Sequence, residues 1–122
     1  MKRPALPLRF PAPGAGVWRG LFAVILLAVL VLSLLPASVP LPTTGWDKSN
    51  HLLAFAVLGW LGRWSWPCRT PTVLGGLLLY GAFIELLQSL TPDRVAELAD
   101  LVADVFGLIL GMALSLFIVA RR

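Results

Sequence analysis

The chain has 122 residues, of which 58% are hydrophobic and 13% charged, whereas an ordinary soluble domain has roughly 45–50% apolar and about 25% charged residues. A mean hydropathy of +0.87 cannot be hidden in one water-soluble core of this size, because a small domain exposes much of its surface. Lipid is therefore the expected solvent, and at about 20 residues per crossing any chemistry must sit on the helices and their short loops.

The net charge of +4 and the pI near 10.2 do not point to nucleic acid, since no basic face or binding module is legible. The single cysteine, Cys68, excludes an intrachain disulfide and a multi-cysteine metal site.

Residues 1–16 form a basic tail carrying Lys2, Arg3 and Arg9. The first apolar stretch, Val17–Leu35, is 19 residues long. It reads as a membrane anchor rather than a signal peptide, being long for an h-region and lacking a small-x-small cleavage site around Leu35-Pro36-Ala37 or Ser38-Val39-Pro40. Pro36, Pro40, Pro42 and Gly45 end it. The second stretch, Asp47–Trp66, has 20 residues, and Pro67 and Pro71 bracket the turn that follows. The third, Val73–Leu90, has 18 residues and gives way to a loop opened by Thr91-Pro92; the fourth, Leu101–Ala120, has 20. Each length suits a bilayer crossing. The expected fold is all-α, a four-helix transmembrane bundle over residues 17–122.

Orientation follows the cations, since Lys and Arg are retained on the cytoplasmic side. Lys2, Arg3, Arg9, Arg19, Arg63, Arg69, Arg121 and Arg122 fall on one side of a four-span arrangement, while Lys48, Arg94 and all six acidic residues fall on the other. Both termini are expected in the cytoplasm of a bacterial cell, with the protein multi-pass in its membrane. Trp46 and Trp64 are 18 residues apart, roughly 27 Å at helical rise, which places one ring at each interface.

Three ionisable residues lie inside the stretches rather than beside them: His51, Glu85 and Asp104. Counted from the outer interface, all three fall at a depth of roughly 6–8 Å. Asp47 and His51 are spaced i,i+4, Glu85 and Gln88 i,i+3, and Asp100 and Asp104 i,i+4, so each pair shares a helix face. Gly81 lies one turn from Glu85, and Gly107-x-x-x-Gly111 carries the Asp104 stripe inward as a close-packing signature. A polar cleft opening to the outer leaflet is expected. Arg94, always charged and forked, suits a phosphate or carboxylate there, and Lys48 accompanies it.

These residues carry a resemblance over Trp46 to Leu114. Asp47-Lys48-x-x-His51 with Phe55 and Gly59, then Glu85-x-x-Gln88, Pro92-x-Arg94, Asp100-Leu101 and the Gly107/Gly111 pair resemble the VanZ-like family of membrane proteins. The family's usual asparagine four residues after the aspartate is Asp104 here. The resemblance implies a small integral membrane protein of the bacterial cell envelope and, for the name-giving members, reduced susceptibility to teicoplanin-type glycopeptides. It implies no settled reaction.

Plainer readings stand beside the functional ones. Asp47 suits an N-cap, His51 an interhelical hydrogen bond, and Arg94 a surface pair with Glu97 or Asp93. Glu85 is harder to account for structurally, because an intramembrane acid is a functional-site residue by default. The lone histidine excludes H-E-x-x-H zinc chemistry, and G-x-S-x-G and phosphate-cradling glycine loops are absent from the sequence. No cofactor is expected; the exception is a divalent cation on His51, Glu85, Asp100 and Asp104, where oxygen-rich ligation favours magnesium, calcium or manganese. The favoured reading is a site binding an anionic lipid or lipid-linked envelope precursor through Asp47, Lys48, His51, Glu85, Gln88, Arg94, Asp100 and Asp104. An acid/base enzyme using Glu85, His51 and Asp104 is the alternative, so whether the protein turns over a substrate is left open. A proton-coupled carrier fits less well, because the polar groups stop in the outer third.

Overall fold

The computed structural model describes residues 13–40 and 45–121. Among these the regular structure is entirely helical: α1 (Ala15–Leu34), α2 (Asp47–Ser65), α3 (Thr70–Ser89) and α4 (Leu98–Ala120). Lys2, Arg3, Arg9, Pro42 and Arg122 lie outside the described residues.

The helix ends have local causes. Leu35 is extended, with ψ 144°, as the residue before a proline must be, and α1 stops there. Gly45 adopts φ +84°, a conformation open mainly to glycine, and turns the chain into Trp46, the extended N-cap of α2. Asp47 is therefore the first helical residue and not the cap; its charge lies in the first turn, where the helix dipole favours an anion. Pro71 sits in the first turn of α3, where its missing N–H costs nothing. α4 starts at Leu98, three residues before the expected Leu101, because Glu97 takes the extended N-cap position. Asp100 is thereby inside the helix, on one face with Asp104.

Side-chain contacts give the helix directions. The start of α1 meets the end of α2: Trp18 packs on Trp60 and Trp64, and Phe22 on Trp66. α1 and α3 run parallel, since Tyr80 donates to the Leu26 carbonyl and, two turns on, Gln88 donates to that of Ser33. α2 and α4 are also parallel, with Lys48 against Asp100 and His51 against Asp104. The bundle is thus up-down-up-down, and its closest pair is the diagonal one, α2 with α4.

By length and composition α1, α3 and α4 suffice to cross a membrane. The expectation of four such stretches is met by three, because α2 opens on Asp47-Lys48-Ser49-Asn50-His51 and carries Arg63 and Ser65 near its end. Burial accounts for that composition. α2 packs against all three other helices and buries His51, Phe55, Ala56, Leu58, Gly59, Leu61, Gly62 and Ser65, whereas α1 buries nothing. Apolar side chains face outward elsewhere, including Leu27 of α1, Leu79 of α3 and Ile109 of α4.

Glycine allows the α2–α4 approach. A Cβ on Gly107 would fall on the Leu52 carbonyl oxygen and 3.0 Å from the Ala56 nitrogen; one on Gly111 would fall on the Ala56 carbonyl oxygen and 3.0 Å from the Trp60 nitrogen. These are backbone atoms and cannot swing aside. Gly75 on α3 has nothing within 4 Å of such a Cβ. Gly111→Ala should therefore destabilise the detergent-solubilised protein by about 1–3 kcal/mol, as overpacking does, while Gly75→Ala leaves it as stable or slightly more so. Equal thermal midpoints for the two variants would contradict this packing.

Candidate functional site

Parallel α2 and α4 bring their first turns side by side, and antiparallel α3 delivers its last turns to the same end. The polar residues on the inward faces meet there. Asp104, fully buried, places Oδ1 2.9 Å from His51 Nδ1. A carboxylate only accepts, so in the neutral imidazole Nδ1 carries the hydrogen and Nε2 is left as a lone pair. That lone pair faces Glu85 Oε1 and Asp100 Oδ2, each 3.9 Å away, beyond direct hydrogen-bonding distance.

The other oxygens of these carboxylates are tethered. Glu85 Oε2 accepts from the Glu97 backbone N–H at 3.1 Å. Asp100 Oδ1 accepts from Lys48 Nζ at 3.2 Å, and Lys48 also donates to Glu97 Oε2 at 2.6 Å. Lys48 is only partly exposed and Asp100 is buried, whereas Glu97 is half exposed. Two carboxylate oxygens, Glu85 Oε1 and Asp104 Oδ2, are buried without a hydrogen-bond partner. Gly81 provides the space for Asp104: a Cβ there would lie 2.6 Å from Asp104 Oδ2 and 3.2 Å from the Phe55 ring.

His51, Glu85, Asp100 and Asp104 thus form one cluster, with 8%, 8%, 2% and 0% exposure. They are packed among α2, α3 and α4 instead of lining an open cleft. Asp47 is exposed beside them, and one ligand atom each from Asp47, His51 and Asp100 fall within 4.8 Å of one another. Gln88 and Arg94 turn elsewhere. Gln88 donates to the Ser33 carbonyl of α1 at 2.9 Å, and Arg94 donates to the Leu35 carbonyl at 3.0 Å. Arg94 therefore holds the C-terminal end of α1, where the dipole favours a cation, in place of the expected position over the polar cleft or the plainer pair with Glu97 or Asp93.

Glu97, expected only as a pairing partner of Arg94, instead joins Lys48 to the cluster and steadies Glu85 through its backbone N–H. Its position three residues before Asp100, one turn along the same helix end, is the signal that would have found it. Also unforeseen is a groove of about 480 Å³ beside the cluster, lined by Trp46, Lys48, Ser49, Leu52, Leu53, Ala99, Val102, Ala103 and Phe106. It is apolar except at the end where Lys48 and Ser49 stand.

The opposite end of the bundle is aromatic and basic. Trp18 stacks on Trp64 at 5.8 Å, Arg19 lies over the Trp66 ring at 5.4 Å, and Arg63 donates to Thr70. Aromatics and arginines at one end, with carboxylates at the other, give the molecule two chemically distinct poles.

No curated protein and no solved structure matches the chain. The family model described as VanZ/LLP1 matches residues 16–119, which takes in all of α2 and α3 and nearly all of α1 and α4, with every residue of the cluster. The chain belongs to the VanZ/LLP1 family.

Proposed function

We propose that this protein acts in the bacterial cell envelope as a four-span membrane protein whose acidic pole receives the polar head of an outer-leaflet lipid or lipid-linked precursor. The observation that carries the reading is Glu85 Oε1. A buried oxygen with no partner costs roughly 1–3 kcal/mol, and this one lies 3.9 Å from His51 Nε2; a donor from a bound head group offsets that cost. The neighbouring groove has the size of a small-molecule site and an apolar lining suited to an acyl chain. Lys48 at its polar end meets the anionic part of the lipid by exchanging its exposed partner Glu97, since a pair so open to solvent is worth little.

The crossing of α2 belongs to the same reading. α1 and α3 are parallel and both long enough to span, so the chain must return between them, and α2 is the connecting helix. The described cations Arg19, Arg63, Arg69 and Arg121 gather at the pole opposite the carboxylates, which supports cytoplasmic termini and an outward acidic pole. A second reading, an acid/base enzyme on the same lipid class, is favoured by the His51–Asp104 pair: an imidazole held by a carboxylate, with Nε2 presented to Glu85, is arranged to take a proton from a substrate hydroxyl.

Cys68 is exposed in the turn between α2 and α3 and serves as a native topology reporter. An impermeant thiol reagent on intact cells should leave Cys68 unlabelled, and should label Ser38→Cys in a Cys68→Ser background. The reverse pattern would invert the orientation. Thr43, between α1 and α2 in the sequence, lies outside the described residues, so the outer probe is placed at Ser38.

Glu85→Gln keeps size and shape but loses the carboxylate. In a deletion strain under cell-wall stress, including teicoplanin-type glycopeptide, Glu85→Gln should accumulate normally in the membrane yet fail to restore the native phenotype. Full complementation at normal abundance would return Glu85 to a structural role and remove the support for this reading.

A further inference from the structure

We infer that His51, Glu85, Asp100 and Asp47 form a divalent-cation site, with Asp104 holding the histidine in its ligating orientation. The inference stands on the geometry of the acidic pole; it places an ion where the lipid reading places a head-group donor, on Glu85 Oε1, and Mn²⁺ binding in lipid-free detergent tells the two apart.

Two independent features point to a cation. The first is a donor set from two helices, since one ligand atom each from Asp47, His51 and Asp100 lie within 4.8 Å of one another. The second is Glu85, which comes from a third helix, is 8% exposed, and directs a buried oxygen without a partner at His51 Nε2 from 3.9 Å. A cation about 2.2–2.4 Å from two atoms 3.9 Å apart subtends an angle of roughly 110–125°, within the flexible geometry of an oxygen-rich site. Nε2 is so spaced from Glu85 Oε1 and, separately, from Asp100 Oδ2, and exposed Asp47 offers an oxygen within 4.8 Å of the His51 and Asp100 ligand atoms.

The surrounding hydrogen bonds are those of a ligand shell. A metal-ligating histidine donates its other ring N–H to a carboxylate, which fixes the tautomer and the ring; His51 Nδ1 lies 2.9 Å from Asp104 Oδ1. Ligating carboxylates are themselves anchored; Glu85 is held by the Glu97 N–H and Asp100 by Lys48, each through one oxygen, leaving the other directed inward. Charge balance runs the same way. Of the five carboxylates Asp47, Glu85, Glu97, Asp100 and Asp104, Lys48 pairs with Glu97 and Asp100, and uncompensated carboxylates are costly at such a pole. A bound divalent ion inverts the local field. Carboxylates with one imidazole favour manganese, magnesium or calcium over zinc, and manganese accepts both donor types.

The test is titration of the detergent-solubilised full chain with Mn²⁺ alone, read by electron paramagnetic resonance of the free ion. About one Mn²⁺ per chain is expected, displaced by Ca²⁺ or Mg²⁺. Glu85→Gln and Asp100→Asn should each weaken binding by roughly tenfold or more, whereas Asp93→Asn, which removes an exposed carboxylate outside the cluster, leaves it unchanged. The two variants lie on different helices, so either one that remains monodisperse and helical suffices. In the unsubstituted protein Mn²⁺ should also broaden the resonances of the only imidazole. Absence of Mn²⁺ binding by the native chain, native affinity in a folded Glu85→Gln or Asp100→Asn, equal loss in Asp93→Asn, or an unbroadened His51 would each overturn the site.

Discussion

The distance between the backbones of α2 and α4 governs the rest of this molecule. Gly107 and Gly111 let α4 lie directly on the carbonyls of Leu52 and Ala56, closer than any side chain would permit. In lipid, apolar burial gives helices little reason to associate, and close packing through small residues takes its place. The two helices are parallel, so one turn beyond the glycines their polar N-terminal turns arrive at the same height. His51 and Asp104 meet because the glycines below them leave no other register.

That register makes the expensive residues affordable. Asp104 is fully buried and Asp100 nearly so, and each is stabilised by a partner on α2: His51 for Asp104 and Lys48 for Asp100. α3 completes the shell with Glu85, anchored by the N-cap backbone of α4, and Gly81 leaves space for Asp104. The far pole needs no such pairing. There Trp18, Trp60, Trp64 and Trp66 with Arg19 and Arg63 form an aromatic and cationic belt, the composition that suits a membrane–water interface.

Much of this was legible in the sequence, where the physics is local. The apolar runs predicted all four helices to within three residues at each end, and prolines 36, 67 and 71 marked where the chain turns. The i,i+4 spacings of Asp47/His51 and Asp100/Asp104 placed each pair on one face, and the glycine pair identified α4 as a packing helix. Three-dimensional partner choice was not legible. Arg94 and Gln88 carry the same chemistry as the cluster residues, yet both turn to the carbonyls at the C-terminal end of α1, whose need for donors is invisible in an apolar sequence ending Ser-Leu-Leu-Pro. Nor could composition indicate that α2, the most polar stretch, is the inner helix, because its polarity is explained only by the neighbours that bury it.

The central claim is that His51 is locked by Asp104 with Nε2 turned inward toward Glu85 and Asp100. The chain contains one histidine, so ¹⁵N-histidine labelling of the detergent-solubilised protein yields the resonances of a single imidazole. The structure predicts a ring whose Nδ1 carries a hydrogen donated to Asp104, with Nε2 bare whenever the ring is neutral, and a change of tautomer or loss of order in Asp104→Asn. A neutral imidazole protonated at Nε2 instead of Nδ1, or a ring with the averaged shifts of free rotation unaffected by Asp104→Asn, would contradict it.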